Sequence, residues 1–371
     1  MFLIPFFSTA ILKTNIPPFR VYSTKIQLSL FNSWEQFYSK SEYEVVSQES
    51  FKDKQNNFYM DQKKYYLQNI KVQNLQTNAI FIENKERVYA IIESCKFINI
   101  ITSIPTSQRP HYGLTRTGAI FYESQNGDCV ISKCSAYKCY NSIANPNYDY
   151  YYYYDGGQFA TIWHAQNQIH VTSIESCADQ PNGVSPFKSL GSLGKYAGIN
   201  ISNCKSVDSS LFAVFPDESD YIKYSLFDGN SGNIVHSRGI CVLFFGKFTI
   251  KQCIFTNNSV DILIYTTHSA NAVVEKCVFF TNHNVYLSYA DIEEDHGYST
   301  ILIKNCYFEN TKTRNVALNA DGAAASISFD KINNASIKDY VISNVIDGLQ
   351  PKIYSKEVPY FGKDRKIHVH H

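Results

Sequence analysis

The feature that most constrains this chain is a short unit that keeps returning with a cysteine at its centre. Residues 91–99 read IIESCKFIN, 171–178 VTSIESCA, 199–206 INISNCKS, 248–258 FTIKQCIFTNN, 272–282 AVVEKCVFFTN and 301–310 ILIKNCYFEN. The common pattern is h-x-h-x-x-C-x-F-x-N or F-x-x-N. Two units lack the cysteine: Tyr224–Asn230 carries Ser225 in its place, and Ile327–Asn333 carries Lys331. An earlier unit is read at Tyr66–Asn74, with Ile70 in the cysteine's place. Aligned on positions 70, 95, 134, 177, 204, 225, 253, 277, 306 and 331, the spacing is mostly 21–29 residues. Two longer intervals of 39 and 43 residues hold insertions, 102–117 and 144–157.

A second strand-like segment precedes each anchor by about a dozen residues, a length too short for a crossover helix. Examples are Ala79–Ile82, Ala119–Tyr122, Phe159–Trp163, Leu211–Val214, Ile262–Tyr265, Val285–Leu287 and Val316–Leu318. Strand–turn–strand units that repeat every 25 residues or so can bury their apolar faces only by coiling and stacking on one another through parallel sheets. The expectation is therefore an all-β chain: a right-handed parallel β-helix solenoid of about ten coils with terminal caps. Its limits are read as an N-terminal cap or leading segment (1–64), the β-helix (65–345) and a C-terminal extension (346–371).

Composition agrees with strands. There are 38 Ile, 28 Tyr and 25 Phe but 17 Leu, a bias toward β-branched and aromatic residues. Scarce Leu and a second strand where a helix would stand also count against a leucine-rich repeat, whose consensus h-x-h-x-x-C otherwise resembles. Positions three and five before the cysteine are mostly apolar, as in Ile250 and Phe248 or Ile303 and Ile301, and so face inward. The position two before it reads Glu93, Ser132, Glu175, Ser202, Lys251, Glu275 and Lys304 and faces solvent. Phe255, Phe279 and Phe308, each two residues after its cysteine, are expected to stack inside.

The F-x-x-N motif (Phe255–Asn258, Phe279–Asn282) together with Gly118-Ala119-Ile120 resembles the repeat of chlamydial polymorphic outer-membrane proteins, which pairs GGA[ILV] with FxxN. The stretches AIFYE (119–123) and NGDCVISKC (126–134) are similar to the large trichomonad families of that type. Thr117 stands where the first Gly would be, and the C-terminal anchor or barrel of typical members is not seen. The resemblance spans 65–345 and implies a surface or adhesion protein without catalysis, at the cell surface or outside the cell.

Lys+Arg is 34 and Asp+Glu 33, a balance that excludes a nucleic-acid partner held by charge. No run of 18 apolar residues is present, so no transmembrane helix is expected. Residues 2–12, FLIPFFSTAIL, have their first basic residue, Lys13, after the apolar stretch instead of before it. They read as a buried first strand in preference to a signal peptide. The sequons at Asn200, Asn257 and Asn334 occur at chance frequency.

The seven cysteines at positions 95, 134, 177, 204, 253, 277 and 306 read as a buried stack, with disulfides between coils left open. Cys129, Cys139 and Cys241 lie off it, and no C-x-x-C pair supports zinc. Asn99, Asn257, Asn258, Asn282, Asn310 and Asn333 close their strands and would form an internal amide ladder. Asp291, Glu293, Glu294 and Asp295, next to His296, are the candidate metal (Ca²⁺) ligands, and a solvated turn explains them as well. Tyr150, Tyr151, Tyr152, Tyr153 and Tyr154, in the longest insertion, are the candidate contact for a protein or glycan partner. His368, His370 and His371 read as a tail. No catalytic residue and no cofactor is assigned. The function expected is non-catalytic binding, of the surface or adhesion type. The alternative is a carbohydrate-active β-helix enzyme, a polysaccharide lyase or glycosidase, which needs a carboxylate pair on one outer strand face.

Overall fold

The computed structural model describes residues 37–38, 42–47, 64–84, 86–104, 118–143, 158–163, 166–177, 185–190, 194–206, 212–215, 220–232, 240–244, 246–267, 269–283, 286–290, 292–293, 297–308, 316–318 and 326–330. Of these, 68% are strand and 1% helix, so the chain is an all-β parallel solenoid. Among the described residues most coils contribute one strand to each of three parallel ladders.

The first sheet stacks Glu44–Val46, Lys64–Gln68, Tyr89–Glu93 and Asp128–Ser132. It continues through the leading halves of Gln166–Glu175 and Gly194–Ser202 into Asp220–Lys223, Lys247–Lys251, Asn271–Glu275, Thr300–Lys304 and Ser326–Asp330. The second sheet stacks Lys71–Leu75, Lys96–Ile104, Ser135–Tyr137, the trailing halves of Gln166–Glu175 and Gly194–Ser202, Leu226–Asp228, Ile254–Thr256, Val278–Phe280 and Tyr307–Phe308. The third sheet has nine strands and runs from Ile80–Asn84 to Val316–Leu318. Among the described residues the one antiparallel pair is Ile292–Glu293 with Gly297–Tyr298.

Two bends per coil, five residues apart, explain the repeat. At the first, Asn69, Ser94, Lys133, Val171, Gly198, Tyr224, Gln252, Lys276 and Asn305 take φ between 48° and 67°. At the second, Asn74, Asn99, Lys138, Ser176, Asn203, Gly229, Asn257 and Thr281 take φ between 50° and 64°. One left-handed residue turns the strand sharply. For a non-glycine residue it costs about 1–2 kcal/mol, so every bend must be held by what lies inside it.

The residue after each left-handed position fills the inside of the bend. Strand register therefore defines two columns. The first is Ile70, Cys95, Cys134, Thr172, Ile199, Ser225, Cys253, Cys277 and Cys306. The second is Leu75, Ile100, Cys139, Cys177, Cys204, Asn230, Asn258 and Asn282.

This corrects the single cysteine ladder expected from spacing. Cys177 and Cys204 belong to the second column together with Cys139, whose backbone N–H donates to Cys177 Sγ at 3.4 Å. The equivalents of Cys134 in the next two coils are Thr172 and Ile199. Glu175 and Ser202 accordingly sit in the second sheet, not in the outward row of the first. Asp330 pairs with Lys304, so the last unit, with Lys331 in the cysteine's place, is one residue out of register.

The chemistry of the bend selects its filler. A sharp turn strips the preceding carbonyls of ladder partners, and a small donor can serve them. Cys95, Cys134, Cys253, Cys277 and Cys306 each donate to the carbonyl two residues back at 3.3–3.5 Å. A carbonyl of the preceding coil, at 3.3–3.7 Å, shares or alternates for the same S–H. Thr172 and Ser225 make the same bond to His170 O and Lys223 O, both at 3.0 Å.

All ten cysteines are buried free thiols, and burial pushes Cys129, Cys134, Cys139, Cys204, Cys241, Cys277 and Cys306 up from the ordinary thiol value. The thiolate is the nucleophile. At Cys177 burial is outweighed by hydrogen bonds from Cys139 and Cys204, which hold it well below the ordinary value, but it too is buried, so the native protein is expected to take up no thiol reagent over minutes and the denatured chain to take up ten equivalents, as read by intact mass. Rapid native labelling would contradict the packing.

In the second column the filler becomes asparagine and the ladder becomes amide. Asn230 Nδ2 donates to Asn258 Oδ1 at 3.0 Å, and Asn258 Nδ2 to Asn282 Oδ1 at 2.9 Å. The same Nδ2 groups, and that of Asn282, reach Ile201 O, Phe227 O and Phe255 O at 2.8–2.9 Å. Asn99 and Asn257 are not in this ladder. They occupy left-handed positions on the outside, where Asn99 bonds Asn74 and Asn257 bonds Asp228. Asn310 and Asn333 lie outside the described residues. Phe255, Phe279 and Phe308 stack in the interior as expected, and Phe227 extends the stack by one coil.

Candidate functional site

A solenoid offers flat, repetitive outer faces, so its sites are found by following outward rows from coil to coil. The central outward row of the first sheet runs Tyr66, Ile91, Val130, Gln168, Lys195, Tyr221, Thr249, Val273 and Leu302. Its beginning is covered by the chain's own leading segment. Tyr66, Ile91 and Val130 are buried in a cluster with Phe37, Tyr38, Tyr43 and Tyr89. Tyr43 meets Tyr66 edge-on at 6.0 Å, Tyr38 meets Tyr89 at 5.1 Å, and the Tyr38 hydroxyl donates to Asp128 O at 3.2 Å. Phe37 stacks on His170 at 5.7 Å. Phe37, Tyr38 and Tyr43 thus form a strap over the first coils. Beneath it, buried Glu93 accepts from the Tyr66 hydroxyl and from Lys133 Nζ, the latter at 2.7 Å.

His170 marks the edge of the strap. Burial, then the charges of Lys223 and Lys195, lower its pKa to about 4. The unfolded histidine takes its proton near pH 6.5 and the folded one resists until about 4, so stability is full above pH 6.5 and falls between 6.5 and 4. Up to about 3 kcal/mol is expected to be lost over that window. Urea unfolding at pH 7.5 and 4.5 measures it, and His170→Gln should flatten the difference.

Beyond the strap the face is open, and its next side chains are basic and aromatic. Lys195 pairs in register with Tyr221, and Lys223 with Lys251. Lys223 Nζ lies 4.4 Å from the Tyr221 ring centre and 5.8 Å from that of Tyr224, which is 39% exposed. Lys247 is exposed two residues before Thr249 on the same face. Further along, Glu275 bridges Lys251 at 3.2 Å and Lys304 at 3.9 Å, so positive charge concentrates on the coils just past the strap. The alternation of Lys251, Glu275 and Lys304 was visible in the sequence. The Lys195–Tyr221–Lys223 cluster is not, because strand register, which the spacing of the repeat does not give, sets Lys195 against Tyr221.

The third sheet carries a different grouping. Glu83 pairs in register with Glu123, and Phe81 with Phe121, whose rings stack at 5.2 Å; Trp163 packs in the same cluster. The sequence signal was the repeated AIFIE (79–83) and AIFYE (119–123). The strand-like segments Ala79–Ile82 and Ala119–Tyr122 stop one residue short of each glutamate, which the structure includes in the strand.

Of the residues singled out from sequence, Tyr150–Tyr154, Asp291, Glu294, Asp295 and the terminal histidines lie outside the described residues, as do 2–12 and 346–371. Glu293 lies in the antiparallel hairpin. Asn200 is 5% exposed, which leaves its sequon inaccessible in the folded chain. Among the described residues no helix is long and apolar enough to cross a membrane. The structure thus agrees with a β-helix through its long stacked parallel sheets, and scans of family models, curated proteins and solved structures each return no match for this chain.

Proposed function

We propose that this chain is a non-catalytic binding protein of the surface or adhesion type, and that the open half of the first sheet is its contact for an acidic glycan. The observation that carries this reading is the cluster of Lys195, Tyr221, Lys223, Tyr224, Lys247 and Lys251 on one face, immediately past the strap. Phenol rings present apolar faces on which a sugar ring stacks, and ammonium groups pair with carboxylate or sulfate as mobile point charges. One exposed pair contributes little, about 0–1 kcal/mol, but a polyanion that spans several coils engages many at once. The resemblance of the F-x-x-N units to polymorphic membrane proteins supports the same class of function. The test is binding of the purified chain to an immobilised polyuronate or sulfated glycan, with a neutral glucan as control. Binding should fall with salt and drop at least about tenfold in Lys195→Glu/Lys223→Glu. Equal retention on the neutral polymer, or an indifferent double variant, would overturn the reading; capture by acidic protein alone would move it to a protein partner.

The second reading, a carbohydrate-active enzyme, is favoured by the register pair Glu83 and Glu123 beside Phe81 and Phe121. Strands in one sheet lie about 4.8 Å apart, close to the carboxylate separation of a retaining glycosidase. Release of reducing ends from a polysaccharide panel, abolished by Glu83→Gln and Glu123→Gln, would establish it.

A further inference from the structure

We propose that the outer face of the second sheet holds a calcium site formed by Glu175, Asn200, Ser202 and Asp228. Ile174, Ile201 and Phe227 belong to the core, so by the two-residue period their neighbours point outward. These outward side chains are nonetheless buried: Glu175 is 4% exposed, Asn200 5%, Ser202 0% and Asp228 9%. Register places Ser202 between Glu175 and Asp228 on successive coils, with Asn200 two residues before Ser202 on the same face.

Two of the four donors are unmatched. Asn200 Oδ1 and Ser202 Oγ are buried without a hydrogen-bond partner, and a buried polar atom in that condition requires an explanation. Both are neutral oxygens; Ser202 lies between the two carboxylates and Asn200 two residues before it on the same face, and the set contains no nitrogen or sulfur ligand. Oxygen-only donors carrying two negative charges suit a hard divalent cation. Glu175 and Asp228 stand two strand spacings apart, roughly 10 Å between backbones. Side chains converging across that span fit the longer bonds and irregular shell of Ca²⁺ better than the compact octahedron of Mg²⁺. The Asp228 carboxylate is oriented by Asn257, whose Nδ2 donates to Oδ1 at 2.9 Å, as an outer partner steadies a ligand.

The test uses the full chain stripped with EDTA, titrated with CaCl₂ and separately with MgCl₂, and read by calorimetry and by thermal unfolding. One saturable calcium site is expected, with a clear rise in Tm and a much smaller response to magnesium. Asp228→Asn should weaken calcium binding at least about tenfold, since it removes a charged ligand. Ser202→Ala removes a hydroxyl that has no partner in the protein. It should fold normally without calcium and bind the ion more weakly, which keeps the test decisive if Asp228→Asn fails to fold. Absence of any calcium-dependent rise in Tm, or wild-type calcium affinity in Ser202→Ala, would overturn the proposal.

Discussion

Replacing Phe279 by Ala is expected to lower the free energy of unfolding by about 3–5 kcal/mol, the range for emptying a large buried aromatic site. The ring is fully buried and stacked between Phe255, with centroids 4.9 Å apart and planes at 11°, and Phe308, at 4.9 Å and 5°. The substitution removes its transfer energy, leaves a void that backbone ladders on both sides keep from collapsing, and breaks two ring contacts. In a solenoid each coil is stabilised mainly by its two neighbours, so the loss falls on both interfaces. Phe279→Leu retains much of the volume and should cost less than half as much. Equilibrium urea unfolding measures both, and a change below about 1 kcal/mol for the alanine variant would show that the stack is not closed.

Asn258→Ala should be of comparable severity, about 3–5 kcal/mol, for a different reason: it strands partners in a dry interior. Asn258 Oδ1 accepts from both the backbone N–H and Nδ2 of Asn230, and its Nδ2 serves Phe227 O and Asn282 Oδ1. Asn258→Asp is nearly isosteric, yet it loses the Nδ2 donor and introduces a charge where two carbonyl oxygens expect an N–H. It should therefore be worse than alanine at pH 7 and improve as the pH falls toward carboxylate protonation. Thermal unfolding of the two variants at pH 7 and pH 5 gives the comparison. If Asn258→Asp is as stable as wild type at both, the amide ladder is not formed.

These two sites show how much was legible before any coordinates. The two-residue alternation in strands such as FTIK and ILIK marks which side chains face inward, because a strand has no other way to place them. F-x-x-N at constant distance from a cysteine places Phe255, Phe279 and Phe308 above one another, because coils in a stack repeat their geometry. That arithmetic determined the parallel solenoid, its interior phenylalanines and the existence of an asparagine ladder.

The tertiary structure decided which column each repeated residue joins. The two bends of a coil demand the same things, a left-handed residue followed by a side chain that fills the inside of the bend. Cys134 and Cys139 are therefore chemically equivalent, and an alignment on cysteine passes from one column to the other at Cys177. Asn257 and Asn258 are adjacent in sequence, yet one turns the chain outside and the other is buried, a difference set by strand register. The same register, fixed by pairings between residues tens of positions apart, brings Glu83 to Glu123 and Glu175, Ser202 and Asp228 to one face. The strap over the first coils follows from packing of Phe37, Tyr38 and Tyr43 against rows far along the chain, which no local period encodes. A repeat records how each coil meets the next; what lies across several coils on an outer face is written only in three dimensions.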